Sequence, residues 1–180
     1  MRILLHICCA PCAIYTVKRL REKGHEVVGF FYNPNIHPAS EYKLRKDSVL
    51  KLSEAMDFNT VSFRDFQFED FCRKVNFHES DNRCHICWRL RLTKTAEYAS
   101  KNGFSGFTTT LLISPYQEHD KIKAIGNDAA DKYSAAFVYE DFRPGFVESK
   151  KVSKDMELYH QKYCGCIYSE RERYVKTIKV

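Results

Sequence analysis

Three cysteines fall within five residues at Cys8-Cys9-Ala10-Pro11-Cys12, and two close pairs follow far downstream, Cys84 with Cys87 and Cys164 with Cys166. Seven of the eight cysteines thus lie in three tight groups, and only Cys72 stands apart. Grouped thiols either hold a metal or exchange electrons, and the C-x-x-C spacing of Cys84 and Cys87 suits both. Neighbouring Cys8 and Cys9 would close a strained ring if they bonded to each other, whereas two loop sulfurs can turn towards one metal centre. Cys8, Cys9, Cys84 and Cys87 could then supply four thiolates, a set that binds zinc or an iron-sulfur cluster. Spacing leaves both open. Zinc usually draws on two C-x-x-C knuckles, complete here only if Cys9 and Cys12 form one, and the closely spaced cysteine run of a ferredoxin is absent. A bond between Cys164 and Cys166 would also be strained and easily reduced, which favours a redox role over two further metal ligands. Cys72, amid Phe68 and Phe71, reads as a small buried hydrophobe.

Composition bounds the setting in which these thiols act. A chain of 180 residues with a hydrophobic fraction of 44% can fold as one domain without disulfide staples. No apolar run approaches the ~20 residues that span a bilayer, and Met1-Arg2 leads straight into a short strand rather than a signal peptide. The expected location is cytoplasmic, with no membrane partner. A reducing cytosol favours metal binding or redox catalysis over structural bridges. The formal charge of +6 and pI of 8.8 accommodate a polyanionic partner without requiring one.

The elements that must position the thiols alternate between strand and helix. Leu4 to Cys8 is an apolar strand-like run, Ala13 to Lys23 carries Ile14, Val17 and Leu20 at helical spacing, and Glu26 to Tyr32 reads as a second buried strand. Such a unit belongs to a doubly wound sheet, whose chemistry lies at the carboxyl ends of its strands. Asn33-Pro34-Asn35-Ile36-His37-Pro38 is a loop on the same rim. A helix capped by Ser40 is predicted to Met56, a short strand at 60–63, and a short helix from Phe66 to Val75. The Cys84 pair precedes a helical pattern from Trp88 to Asn102, a helix start that favours thiolate over thiol. A strand at 104–112, a helix to about Tyr133, a strand at 135–139 and a last helix at 153–163 complete the expectation. The fold class is α/β, a single-domain three-layer sandwich over residues 1–180 with a mostly parallel sheet. Strand order is not legible.

Six segments together resemble one family, the cobalamin-independent epoxyqueuosine reductases of the QueH type. They are Cys8-Cys9-Ala10-Pro11-Cys12, Tyr32 to Pro38, Arg83 to Cys87, Thr108 to Pro115, Asp141-Phe142-Arg143-Pro144 and Tyr163-Cys164-Gly165-Cys166. The resemblance implies reduction of epoxyqueuosine to queuosine at the wobble position of a tRNA anticodon. It implies a 4Fe-4S cluster on Cys8, Cys9, Cys84 and Cys87, and a redox-active pair, Cys164 and Cys166, folded back to the active rim. It also implies the ATP-pyrophosphatase/HUP nucleotide-binding fold, with the thiol loop in place of the glycine-rich phosphate loop.

Removing an epoxide oxygen as water takes two electrons and two protons, so a dithiol could complete what a one-electron cluster begins. Cys12 is left over and could bind an additional iron beside the cluster or donate a proton. Asp120, next to His119, is a second candidate for ligand or acid. For the tRNA, Tyr32, Tyr116, Trp88 and Phe142 adjoin motif loops and could stack on bases. Arg143, Lys150, Lys151, Lys154, Arg171 and Arg173 could meet phosphates. The electron donor is not identifiable. Two competing readings remain: an ATP-dependent tRNA-modifying enzyme of the same fold, which lacks here its Ser-Gly-Gly phosphate cradle, and a non-enzymatic zinc-binding module.

Overall fold

A computed structural model describes residues 1–63, 68–76 and 83–175. Five strands, β1 (Arg2–His6), β2 (Glu26–Phe31), β3 (Thr60–Ser62), β4 (Gly106–Thr109) and β5 (Ala136–Phe137), form one sheet in the order β3-β2-β1-β4-β5. All four ladders are parallel. The central strand is buried on both faces from Ile3 to His6, which is why it reads in sequence as an unbroken apolar run. The order reverses direction on either side of β1, and the carboxyl end of such a switch point is where a doubly wound sheet opens a crevice.

Helices cover both faces. On one side α1 (Ala10–Glu22) packs against α2 (Ala39–Ala55) and α6 (Phe146–Asp155); on the other α4 (Arg83–Lys101) packs against α3 (Phe68–Val75) and α5 (His119–Tyr133). A final helix, α7 (Ile167–Tyr174), closes the described chain. No described helix is long and apolar enough to cross a membrane.

Several boundaries differ from the sequence reading. α1 starts at Ala10, because Pro11 in its first turn lacks only an N–H that would have no helical acceptor there. α2 is entered through Pro38 with no side-chain cap, so Ser40 does not cap it. α4 begins at Arg83, which brings Cys84 and Cys87 inside its first turns. The strand expected at 104–112 stops at Thr109, whose hydroxyl accepts from the Leu111 amide and starts a 3-10 turn over Thr110–Ile113. β5 keeps only two residues of the strand expected at 135–139.

The helix expected at 153–163 lies earlier in the chain. Gly145 caps α6, which spans Phe146–Asp155, and left-handed Glu157 (φ 51°) then sends residues 158–163 off as an irregular strap. Phe66 and Gln67, at the expected start of α3, lie outside the described residues.

His6 is an exception in the apolar core strand, with no exposed surface. The Tyr32 carbonyl, 3.1 Å from Nε2, can only accept, so Nε2 carries the proton and Nδ1 accepts from the Thr109 hydroxyl at 2.9 Å. Burial, reinforced by the Arg91 charge, lowers the His6 pKa to about 4. A depressed histidine stabilises the fold fully above its unfolded value of about 6.5 and loses that contribution as pH falls towards 4. The metal-free protein should therefore lose roughly 3 kcal/mol across that window. Urea midpoints of wild type and His6→Gln, taken from pH 7 to about pH 4, measure it, and the variant should show the flatter profile.

Candidate active site

The chain leaves β1 at His6 and enters α1 at Ala10, so Cys8 and Cys9 lie in the link at the centre of the sheet's carboxyl edge, with Cys12 in the first turn of the helix. The sulfurs of Cys8, Cys9 and Cys12 all lie within 4.8 Å of one another, and those of Cys8 and Cys9 are 3.7 Å apart. Among the described residues this is the only such group able to hold a metal ion. The link is fixed from β2 and from the turn after β4. Asn33 Nδ2 donates to the Ile7 carbonyl (2.8 Å), Ile7 N–H to the Phe30 carbonyl (2.9 Å), and Cys8 N–H to the Thr110 hydroxyl (3.2 Å).

The second wall comes from α4 and the β2 loop. Asn35 Nδ2 donates to Cys87 Sγ at 3.2 Å, while its Oδ1 accepts from Arg91 Nε and Nη2 at 3.2 and 2.8 Å. Arg91 is 2% exposed. Cys84, one turn earlier on α4, is exposed.

The third wall is the strap. Gln161 Nε2 donates to Cys9 Sγ at 3.0 Å. Arg45, buried and paired with Glu41 at 2.7 Å, donates from its two terminal nitrogens to the carbonyls of Tyr163 and Cys164, each at 2.9 Å. His37 N–H donates to the Gly165 carbonyl at 2.7 Å, and the Tyr163 hydroxyl donates to the His37 carbonyl.

Gly165 has φ +136°, and a Cβ there would meet Arg45 Nη1 at 3.1 Å and Ile36 Cγ1 at 3.2 Å. Gly165→Ala is therefore expected to strain the Cys164–Cys166 turn by about 1–3 kcal/mol. The measurements are the rate of reaction of both thiols with a disulfide reagent, which should change, and the unfolding midpoint, which should drop by that amount.

These walls enclose a cavity of about 390 Å³, lined by Cys8, Cys12, Arg45, Arg91, Gln161 and Cys164 inside and by Tyr116, Phe146 and Lys150 at its lip. Hydrogen bonds from Cys12 and Cys9 hold the Cys8 thiol well below its ordinary pKa despite its burial, with Arg91 and Thr110 adding to the effect. Cys12 pulls the Cys9 pKa down, but the Cys8 sulfur and burial outweigh it and push Cys9 up to about 12. Cys12 is raised by its bonds to Cys8 and Cys9.

Burial raises Cys87 and Cys84 as well, so the helix start does not by itself produce thiolates there; a metal would. Cys164 keeps a surface open to water, yet its concave surroundings shift it upward, and it feels the charges of Cys87, Cys166 and Cys8. All eight cysteines are free thiols.

Other residues singled out from sequence fall in different places. Tyr32 and Trp88 are 6% and 4% exposed. Tyr32 stacks on Phe30, and the Trp88 indole N–H donates to Gln117 Oε1 at 2.9 Å. The rings of Tyr32, Trp88 and equally buried Phe142 offer a base little surface in this structure. Tyr116, by contrast, is 81% exposed. Arg143 is exposed but held by Asp141 through contacts of 2.8 and 2.6 Å. Asp120 is exposed at the start of α5, beside the buried His119, and does not line the thiol cavity. Cys72 is half-buried rather than buried.

A larger hollow of about 550 Å³ between α4 and α5 contains no thiol, and the chemistry belongs with the sulfurs. Sequence reasoning missed Arg45, Arg91, Asn35 and Gln161. The signal for the two arginines was present: Trp88, Arg91, Leu92, Thr95, Ala96 and Ala99 form one buried stripe of α4, and Glu41, Arg45, Ser48, Val49 and Leu52 one of α2.

A parallel sheet of order 3-2-1-4-5 with a crevice of thiols at its switch point defines the class, an α/β protein with a thiol-lined cavity at the carboxyl edge of its sheet. Its fold is shared with a solved structure from Methanocaldococcus jannaschii described as a predicted subunit of tRNA methyltransferase. That likeness has a TM-score of 0.55 at 10% identity and covers 86% of this chain and 76% of that one. The description "Epoxyqueuosine reductase QueH" matches residues 3–172. Proteins of that name from Dehalococcoides mccartyi and Thermotoga maritima are 38% and 34% identical, over 97% and 99% of this chain and 96% and 95% of theirs. One from Haemophilus influenzae is 35% identical over 95% of this chain and 72% of its own. The chain belongs to the epoxyqueuosine reductase QueH family and is an oxidoreductase.

Proposed function

We propose that the chain converts epoxyqueuosine to queuosine at the wobble position of tRNA, with an iron-sulfur cluster on Cys8, Cys9, Cys84 and Cys87 and with Cys164 and Cys166 as a reducing dithiol. The observation that carries this reading is that cysteines remote in sequence, Cys8 and Cys12 on one side and Cys164 on the other, line one cavity of about 390 Å³, with Cys87 behind its wall, joined through Asn35 to the lining residue Arg91. The donor set fits an anionic metal centre. Amides of Asn35 and Gln161 donate to two of the sulfurs, and the buried Arg91 guanidinium stands beside them with no carboxylate partner among the described residues. Cys12, within 4.8 Å of Cys8 and Cys9, is the thiol left over to hold an additional iron or a proton.

Opening the epoxide to an alkene breaks two C–O bonds and releases the oxygen as water, consuming two electrons and two protons. Oxidation of the Cys164 and Cys166 thiols to a disulfide delivers both electrons and both protons, and an external reductant restores the pair. A bound cluster supplies electrons singly. Arg91 and Gln161 bring N–H donors to the cavity in which the epoxide oxygen is released. An ATP-dependent reading is disfavoured because the start of α1 is filled by three thiols and a proline, where a phosphate site needs open backbone amides.

At the lip, the Tyr116 ring meets the edge of Phe146, with centroids 6.1 Å apart, and Lys150 Nζ lies 4.3 Å from the Phe146 centroid. An exposed ring beside a cation suits an unstacked base and its phosphate. Tyr116→Ala should weaken tRNA binding by about 1–3 kcal/mol, roughly 5- to 150-fold in Kd. Lys150→Ala should reduce the slope of log affinity against log salt by about 1. Kd measured across a salt series tests both; a flat salt response contradicts the lip as a phosphate contact.

The whole reading is tested by an anaerobic assay on epoxyqueuosine-containing tRNA, with iron and sulfide quantified in the same sample. Queuosine formed by a brown, iron-loaded protein supports it. A colourless zinc protein that forms none overturns it.

A further inference from the structure

We propose that Arg91 and Asn35 form an electrostatic relay that raises the reduction potential of the metal centre held by the rim thiols. The inference rests on the iron-sulfur reading above. Arg91 lies in the buried stripe of α4 and is 2% exposed, yet no carboxylate among the described residues pairs with it. Its Nε and Nη2 both donate to a neutral acceptor, Asn35 Oδ1. A cation buried on those terms is strongly unfavourable unless an anion lies within reach. Arg45 shows the contrast. It is as deeply buried but is paired with Glu41 at 2.7 Å.

The anions available to Arg91 are sulfurs. It lines the same cavity as Cys8 and Cys164. Asn35 extends that charge to a particular sulfur. A guanidinium has only donors, so the amide oxygen must face Arg91 and the amide nitrogen must face Cys87, 3.2 Å away. The sulfur of Cys87 is therefore an acceptor. Its donor is an amide polarised by a full positive charge on the other side.

Hydrogen bonds to ligand sulfurs and nearby net charge are the terms that set the potential of such centres. Gaining an electron adds a negative charge beside Arg91, and a fixed positive charge stabilises the reduced form more than the oxidised one. Neither residue offers a ligand atom suited to iron in a thiolate site, so both are positioning residues.

The test is an anaerobic redox titration of the iron-loaded protein with dithionite, following the reduced centre by electron paramagnetic resonance. In Arg91→Gln the ratio of reduced to oxidised centre at the wild-type midpoint should fall about tenfold, about 59 mV for a one-electron couple. Asn35→Asp should shift it in the same direction, because the new carboxylate neutralises Arg91 and removes the donor to Cys87. That variant keeps the buried arginine paired, so it decides the matter if Arg91→Gln fails to fold or load. Arg91→Lys, which keeps the charge and loses the fork, should fall between.

Unchanged midpoints in iron-loaded Arg91→Gln and Asn35→Asp overturn the relay and leave the iron-sulfur reading intact. Failure of both variants to load, with wild type loaded, makes the pair a support for assembly and likewise overturns it. A wild-type protein that takes up no iron and sulfide overturns the underlying reading as well.

Discussion

Cys8→Ser is expected to empty the metal site and stop turnover while leaving the fold in place. Cys8 has its thiol held well below its ordinary pKa by bonds from Cys12 and Cys9, and it lies just past the end of the central strand, against Cys9 and Thr110. A serine hydroxyl can take over the contact with Thr110 but does not replace a thiolate as an iron ligand. Loss of a partner that merely orients a ligand costs about 10- to 100-fold in metal affinity or activity, so loss of the ligand should exceed about 100-fold. Iron and sulfide per chain should collapse with the activity, and circular dichroism should be unchanged. Cys72→Ser, half-buried on α3, should keep both metal and activity. Full iron content in Cys8→Ser would remove Cys8 from the ligand set.

Cys164→Ser should separate the two kinds of sulfur. The turn that carries Cys164 is held through its backbone, since Arg45 takes the carbonyls of Tyr163 and Cys164 and His37 takes that of Gly165. Removing one sulfur atom therefore leaves the turn where it is. Iron content should stay at the wild-type level, whereas the steady-state rate falls about 100-fold, equivalent to ~2.7 kcal/mol of barrier. Retention of iron together with full multiple-turnover activity would end the dithiol role. Loss of iron would instead place Cys164 among the ligands.

The sequence carried the first half of the fold well. The strand to His6, the helix after it and the strand from Glu26 follow from apolar periodicity, which is strongest where an element is buried on both faces. Order within the sheet was not legible, because parallel neighbours are joined by long crossovers whose packing no local pattern encodes. The late elements were misplaced for a related reason. Around Phe146 to Tyr163 the apolar residues suit either a helix or an extended strap, and Gly145 and Glu157, not periodicity, set the actual limits of α6.

At the site, the cysteine groups announced themselves through spacing alone. The groups that polarise them did not: Arg91 and Arg45 look like surface charges until their helical positions show them in the buried stripe. The exposure of the rings was equally illegible, since a ring next to a motif loop can be buried, as Tyr32 and Trp88 are, or exposed, as Tyr116 is.

The Cys164–Cys166 turn is tied to a remote part of the chain. The carbonyl of Gly165, the residue between the two cysteines, accepts from the His37 amide at 2.7 Å. A disulfide across one residue would turn the peptide planes on either side of that glycine. Under the proposed dithiol role, oxidation should therefore loosen this bond and speed deuterium exchange at the His37 amide, a readout at a single backbone position.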